Sequence, residues 1–241
     1  MGINISMVLD ETGSMETCRQ AVIDGFNEYI ADQLKQPGSD SVTFSLVLFN
    51  SDKIEERYDS IVLKDIKSLT MPTYVPESTT PLYDAVARSI KQMDDRLART
   101  NSGEKPSVFF VVFTDGLENA SKEFTQQDVF NLISSHTAQG WTFIYLGANQ
   151  DAWAVGRQLG FASGNTMVYD TTATVQSMGY VSQVTSAYRT RGGAQTAAGF
   201  ADAGLGPQNF QPSMRSNRTI VNKTKQEIAK EKLMEQNKLR K

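Results

Sequence analysis

Two carboxylates and three hydroxyls stand out in this chain, because their places suit the binding of a hard cation. The segment Asp10-Glu11-Thr12-Gly13-Ser14 follows a short apolar run, and Thr114-Asp115-Gly116 closes another. Thr80 lies directly before Pro81, where a helix opens. Alternate side chains of an extended segment point the same way, so Asp10, Thr12 and Ser14 can converge on one point. Gly13 lets the backbone bend between the two hydroxyls. An all-oxygen set made of Asp10, Thr12, Ser14, Thr80 and Asp115 suits Mg²⁺, Mn²⁺ or Ca²⁺, and not zinc or copper. Two protein charges and about six coordination positions leave room for water or for a carboxylate from another molecule. An incomplete set of this kind belongs to a binding site rather than to a structural one.

The elements that must hold these residues alternate between strand and helix. Ile3–Leu9 is a strand ending at Asp10, and helical spacing runs over Glu16–Gln36 until Pro37-Gly38 stops it. Val42–Phe49 is a second strand, and Ile54–Leu63 returns from it as an antiparallel edge. Pro81–Arg99 reads as an amphipathic helix. The unbroken Val/Phe run Val108–Phe113 has the pattern of a central strand covered on both faces. Thr125 with Asp128 forms a capping box for a helix to about Ala138. Trp141–Leu146, Gln150–Leu159, Met167–Tyr169 and Thr171–Arg189 continue the alternation as strand, helix, strand and helix. The order predicts an α/β fold, a mostly parallel sheet doubly wound by helices. Ligands of such sheets collect at the carboxyl ends of strands, which is where Asp10 and Asp115 fall.

Residues 1–190 are expected to form this domain, 191–218 a Gly/Ala/Pro-containing linker, and 219–241 a Lys/Glu-rich tail that is helical or disordered. Residues 213–241 carry nine Lys/Arg against three Glu, so a body of about −9 precedes a tail of +6.

Composition excludes several function classes. Of the chain's 241 residues, 39% are hydrophobic and 21% charged, as in a globular protein. No stretch reaches the roughly 20 apolar residues of a membrane helix. Cys18 and His136 are single, which leaves disulfides, zinc catalysis and His-based triads little material. Cys18 is expected to be a buried thiol, and His136 to flank a helix C-terminus. The opening Met-Gly-Ile-Asn-Ile-Ser has no basic region leading into an apolar core. No signal peptide is therefore expected, and the expected address is cytoplasmic.

Asp10-x-Thr12-x-Ser14, then Thr80 in Thr-Pro-Leu, then Asp115 in Thr-Asp-Gly, resembles the metal-ion-dependent adhesion site (MIDAS) of von Willebrand factor A (VWA) domains. The resemblance covers about residues 1–190. It implies a six-stranded, mostly parallel sheet with Mg²⁺, Mn²⁺ or Ca²⁺ at its top, and a protein partner whose acidic group completes the coordination. Thr12 departs from the family's Ser; it keeps the hydroxyl and adds a methyl. Leu146-Gly147-Ala148-Asn149-Gln150-Asp151 is similar to stand-alone bacterial and phage VWA-like proteins, which implies a MoxR-type AAA+ ATPase as a candidate partner.

Each residue also has an ordinary use. Thr80 is a good helix N-cap, Asp115-Gly116 a turn, and Asp10–Ser14 a loop with a cap. Asp-Glu-Thr-Gly-Ser also resembles the phosphorylation loop of P-type ATPases and haloacid dehalogenases, which would make Asp10 a nucleophile. That chemistry needs a positioned Lys and a second acidic pair, and Asp94-Asp95 falls inside a helix instead. The tail's cations allow non-specific nucleic-acid contact, but no aromatic follows Phe210 to stack a base. The sequence therefore favours a non-catalytic binding module.

Overall fold

In the computed structural model, which describes residues 2–100, 105–148 and 151–205, six strands form one sheet. They are β1 (Ile3–Asp10), β2 (Val42–Phe49), β3 (Ile54–Val62), β4 (Ser107–Thr114), β5 (Thr142–Ala148) and β6 (Thr166–Tyr169), in the order β3-β2-β1-β4-β5-β6. Only β3 runs antiparallel, paired with β2. From β1 the chain first winds outward through β2 and β3, then crosses back to β4 and winds the other way. The switch lies between β1 and β4, where two diverging loops leave a crevice at the carboxyl edge.

Sequence explains why these strands are central. Every residue of β1 is buried, and all of β4 after Ser107. One face of the sheet packs α1 (Arg19–Lys35) and α5 (Thr174–Thr190). There Phe44 meets Phe26 and Tyr29, and Phe109 meets Tyr188 at 4.8 Å. The other face carries Val8, Val47, Phe110 and Val112 against α2 (Leu82–Arg99) and α3 (Gln126–Ala138). Asn4, a polar residue within β1, turns toward Met93 of α2. Covering both faces gives β1 and β4 their unbroken apolar character. Edge strand β3 carries charge instead, with Arg96 of α2 paired to Glu56 and Asp59.

Several boundaries differ from the sequence reading. The first helix does not begin at Glu16: Gly13–Cys18 forms a 3₁₀ turn and α1 starts at Arg19. In that turn Ser14 stays exposed, and its hydroxyl reaches Asp115 in the loop after β4. The capping box at Thr125 and Asp128 forms as read. Helix α4 (Ala152–Gln158) is capped by Asp151, whose carboxylate accepts from Ala154 N–H.

The linker expected from residue 191 does not begin there. Gln195 donates to the carbonyl of Trp141, and Asn165 exchanges hydrogen bonds with Thr196 and Gly199. A short helix α6 (Gly199–Asp202) buries Phe200 to 1% exposure, and Leu205 is buried after it. The Gly/Ala-rich composition was misleading, because Gly199 is there for packing: a Cβ would stand 3.0 Å from Val184 and from Asn165. Residues 206–218 and the basic tail lie outside the described residues. Among the described residues no helix is long and apolar enough to cross a membrane.

Candidate metal centre

The register of the sheet puts the first contacts in place. Leu9 of β1 lies beside Phe113 of β4, so Asp10 and Thr114 emerge side by side at the carboxyl edge. The Thr114 hydroxyl donates to Asp10 Oδ2 at 2.5 Å, and Thr12 N–H donates to Asp10 Oδ1 at 2.7 Å. Ser14 Oγ lies 3.3 Å from Thr12 Oγ1 and donates to Asp115 Oδ1 at 2.5 Å. Gly116 brings in the last member. A Cβ on it would stand 2.8 Å from Thr80 Oγ1 and 3.6 Å from Asp10 Oδ2, so those oxygens share the space that its missing side chain leaves. All five residues singled out in the sequence therefore converge at the β1/β4 switch point.

Thr80 is not the helix cap its position suggests. Pro81 occupies the N-cap place of α2, and the Thr80 side chain turns to Gly116. Its backbone is clamped twice by Asn119, whose Oδ1 accepts from Thr80 N–H at 2.8 Å while its own N–H donates to Thr80 O at 3.0 Å.

Electrostatics at this point are unbalanced. Asp10 is fully buried, and burial pushes its carboxyl up to about 6, against the pull of the Thr114 and Thr12 hydrogen bonds. Asp115 is also raised, again chiefly by burial. Among the described residues neither carboxylate forms an ion pair. A buried negative charge without a counter-ion is costly, and a bound cation would relieve it. The donors are all oxygen, with no group of three or more His, Cys, Asp or Glu among the described residues. Hydroxyls fill the places where a carboxylate-rich or thiolate site would put charge. This set fits a hard divalent cation, which Asp10, Thr12, Ser14, Thr80 and Asp115 would hold.

Supporting residues went unnoticed in the sequence. Tyr74 donates its phenol to Asp10 O at 2.5 Å. Glu11, between two of the five, is fully buried: Oε1 accepts from Val75 N–H at 2.6 Å and Oε2 lies 3.1 Å from Lys53 Nζ. Asp84 accepts from the N–H groups of Lys122, Glu123 and Phe124, and Glu118 from those of Tyr83, Ala120 and Ser121. These two acids fasten the loop after β4 to the start of α2, so Thr80 and Asp115 keep their distance. Nothing local in the sequence distinguishes them from surface acids; only the pairing of distant loops does. Cys18 is buried, with its thiol pushed up to about 11 mainly by burial. His136 lies in the last turn of α3 and is buried: Nδ1 faces Leu132 O and Nε2 faces Asp94.

Comparison with solved structures places this architecture. The chain has the α/β fold of von Willebrand factor A domains. Proximal thread matrix protein 1 of the mussel byssus superposes with a TM-score of 0.53 at 14% identity, over 76% of this chain and 48% of that one. A form of the same protein with a zinc-occupied MIDAS motif matches at a TM-score of 0.50. The vWF domain of the type V pili tip protein Mfa5 from Porphyromonas gingivalis matches at 0.52 and 9% identity, over 81% of this chain and 97% of that one. The ArnB paralog VWA2 from Sulfolobus acidocaldarius matches at 0.51 and 18% identity, over 76% and 44%. The chain thus spans about half the length of the mussel and archaeal proteins. No family model and no curated protein matches the sequence.

Proposed function

We propose that this chain is a non-catalytic, divalent-cation-dependent protein-binding module built on a MIDAS-type site. The observation that carries it is the convergence of two uncompensated carboxylates and three hydroxyls at the switch point of a VWA fold. Asp10, Thr12, Ser14, Thr80 and Asp115 hold Mg²⁺, or Mn²⁺ or Ca²⁺ in its place. A cation held there would offset the charge of Asp10 and Asp115 and, with coordination positions left open, would offer a Lewis-acidic site to a partner's carboxylate. The protein's part is to fix the oxygens in advance, through the Thr114, Tyr74 and Asn119 contacts. The MIDAS motif of the mussel protein, of like fold, supports a divalent-cation site, and its occupation by zinc argues against excluding zinc on donor type alone. A MoxR-type AAA+ ATPase is the candidate partner and the cytoplasm the proposed address.

Phosphoryl transfer through Asp10 is disfavoured by its surroundings. Its two oxygens accept from Thr12 N–H and the Thr114 hydroxyl, and Lys53 is engaged by Glu11. The test is capture of partners on immobilised full-length chain in Mg²⁺ and in chelator. Capture released by chelator, and lost with Asp10→Ala, is expected. Capture indifferent to both, or a trapped phosphoryl adduct on Asp10, overturns the proposal.

A further inference from the structure

The loops that frame this centre expose large hydrophobic side chains. Of the five large hydrophobic side chains exposed among the described residues, three lie here: Leu117 at 57%, Met71 at 45% and Val75 at 38%. Leu117 adjoins Gly116, where Thr80 and Asp10 meet. Val75 hangs from Glu11 by its N–H. The carbonyl of Met71 accepts from Arg19, and the same guanidinium donates to Tyr74 O. Leu117 stands in the loop fastened to α2, and Met71 and Val75 in the loop fastened to α1 and β1. The aliphatic groups therefore flank the centre on both sides. A single exposed leucine is ordinary, but three around one polar centre mark a contact surface.

Beside the proposed ligands the exposed charge is acidic, although Lys64, Lys67 and Lys122 are exposed elsewhere in these loops. Within residues 11–19, 50–53 and 74–80 the exposed ionisable side chains are Glu16, Asp52 and Glu77. Glu16 is answered by Arg19, and Lys53 is engaged by Glu11, which leaves Asp52 and Glu77 as the acids of the rim. A partner bearing only acid would meet repulsion from this rim as it approached the cation. A partner surrounding its carboxylate with aliphatic groups would exclude water from the contact and strengthen it.

Resting on the reading that the centre takes a partner carboxylate, we propose that the partner is a peptide segment of defined chemistry. It carries one Asp or Glu with aliphatic or aromatic neighbours that bury Leu117, Val75 and Met71, and Lys or Arg further out against Asp52 and Glu77. The experiment is selection of a random displayed peptide library on the Mg²⁺-loaded full chain, with elution by EDTA. The eluted pool is expected to share an acidic residue beside aliphatic and basic ones. A synthetic consensus peptide should bind Leu117→Asp or Val75→Asp at least tenfold more weakly, while both variants keep the Mg²⁺ affinity of the original. A consensus of acid without apolar or basic neighbours, or binding within twofold for both variants, overturns this inference and leaves the cation-dependent module standing. No EDTA-dependent enrichment at all overturns both.

Discussion

Ser14 and Asp115, 101 residues apart in sequence, share a hydrogen bond of 2.5 Å. That contact joins the loop after β1 to the loop after β4 across the point where the winding of the sheet reverses. Both groups are partners of a cation in the proposed site, so the bond holds the two loops in register before any cation arrives. Such preorganisation lowers the cost of binding, because the donors need not be gathered.

Asp10 should destabilise the cation-free protein above pH 6. Its folded carboxyl is raised to about 6 from 3.8, so between those values the folded state keeps a proton that the unfolded state has lost. Stability therefore falls as pH rises through this window, and the full penalty, at most about 3 kcal/mol, stands above it. Asp10→Asn keeps an acceptor for Thr12 N–H and removes the charge. Without cation at pH 7.5 it should melt higher than the original chain, and at pH 4 the gap should close. Thermal melts in EDTA across this range check it; a lower melting temperature at pH 7.5 would contradict it. Cation affinity should also weaken as pH falls through about 6, as the carboxylate takes up its proton.

Gly116→Ala should cost cation affinity. The added methyl would stand 2.8 Å from Thr80 Oγ1, and Asn119 holds the Thr80 backbone so that it cannot retreat. The side chain must rotate and take its hydroxyl away. At least tenfold weaker Mg²⁺ binding with a stability loss of about 1–2 kcal/mol is expected. Unchanged calorimetry would show that Thr80 is no ligand.

Thr12→Val separates hydroxyl from bulk. The side chain keeps its shape in a buried position, 1% exposed, and loses only the oxygen that lies near Ser14. Mg²⁺ affinity should drop tenfold or more, while Thr12→Ser should bind at least as well as the original. Equal affinity in all three proteins would remove Thr12 from the site.

Asp84→Ala should unfasten the loop after β4 without touching a proposed cation ligand. Three backbone N–H groups lose their acceptor, each worth about 1–3 kcal/mol where burial leaves it unsatisfied. A fall in stability of about 2–4 kcal/mol is expected, with most of the loss persisting in saturating Mg²⁺. A neutral substitution in urea denaturation would contradict it.

Much of this was legible in the chain. The strand and helix alternation and the antiparallel edge follow from local patterns, and Asp10, Thr12, Ser14, Thr80 and Asp115 come together because each adjoins the end of an element whose periodicity is strong. What stayed hidden depended on distant partners. Thr80 has the sequence signature of a cap, and only the missing side chain of Gly116 reveals where it turns. Asp84 and Glu118 look like solvated acids until their loops meet. Residues 191–205 have a linker's composition, yet Phe200 and Leu205 are buried, since small residues allow close packing as readily as flexibility. Glu11 sits between two proposed ligands with the same charge as Asp10, and its neighbours Lys53 and Val75 N–H mark it as a brace.

Isothermal calorimetry of Mg²⁺ into full-length protein at pH 7.5 tests the cation site most directly, with Asp10→Ala alongside. One cation per chain, binding in the micromolar to millimolar range and absent from a still-folded Asp10→Ala, is the expected result. No heat at millimolar Mg²⁺, Mn²⁺ or Ca²⁺, or equal binding by the variant, would contradict a cation centre at these five residues.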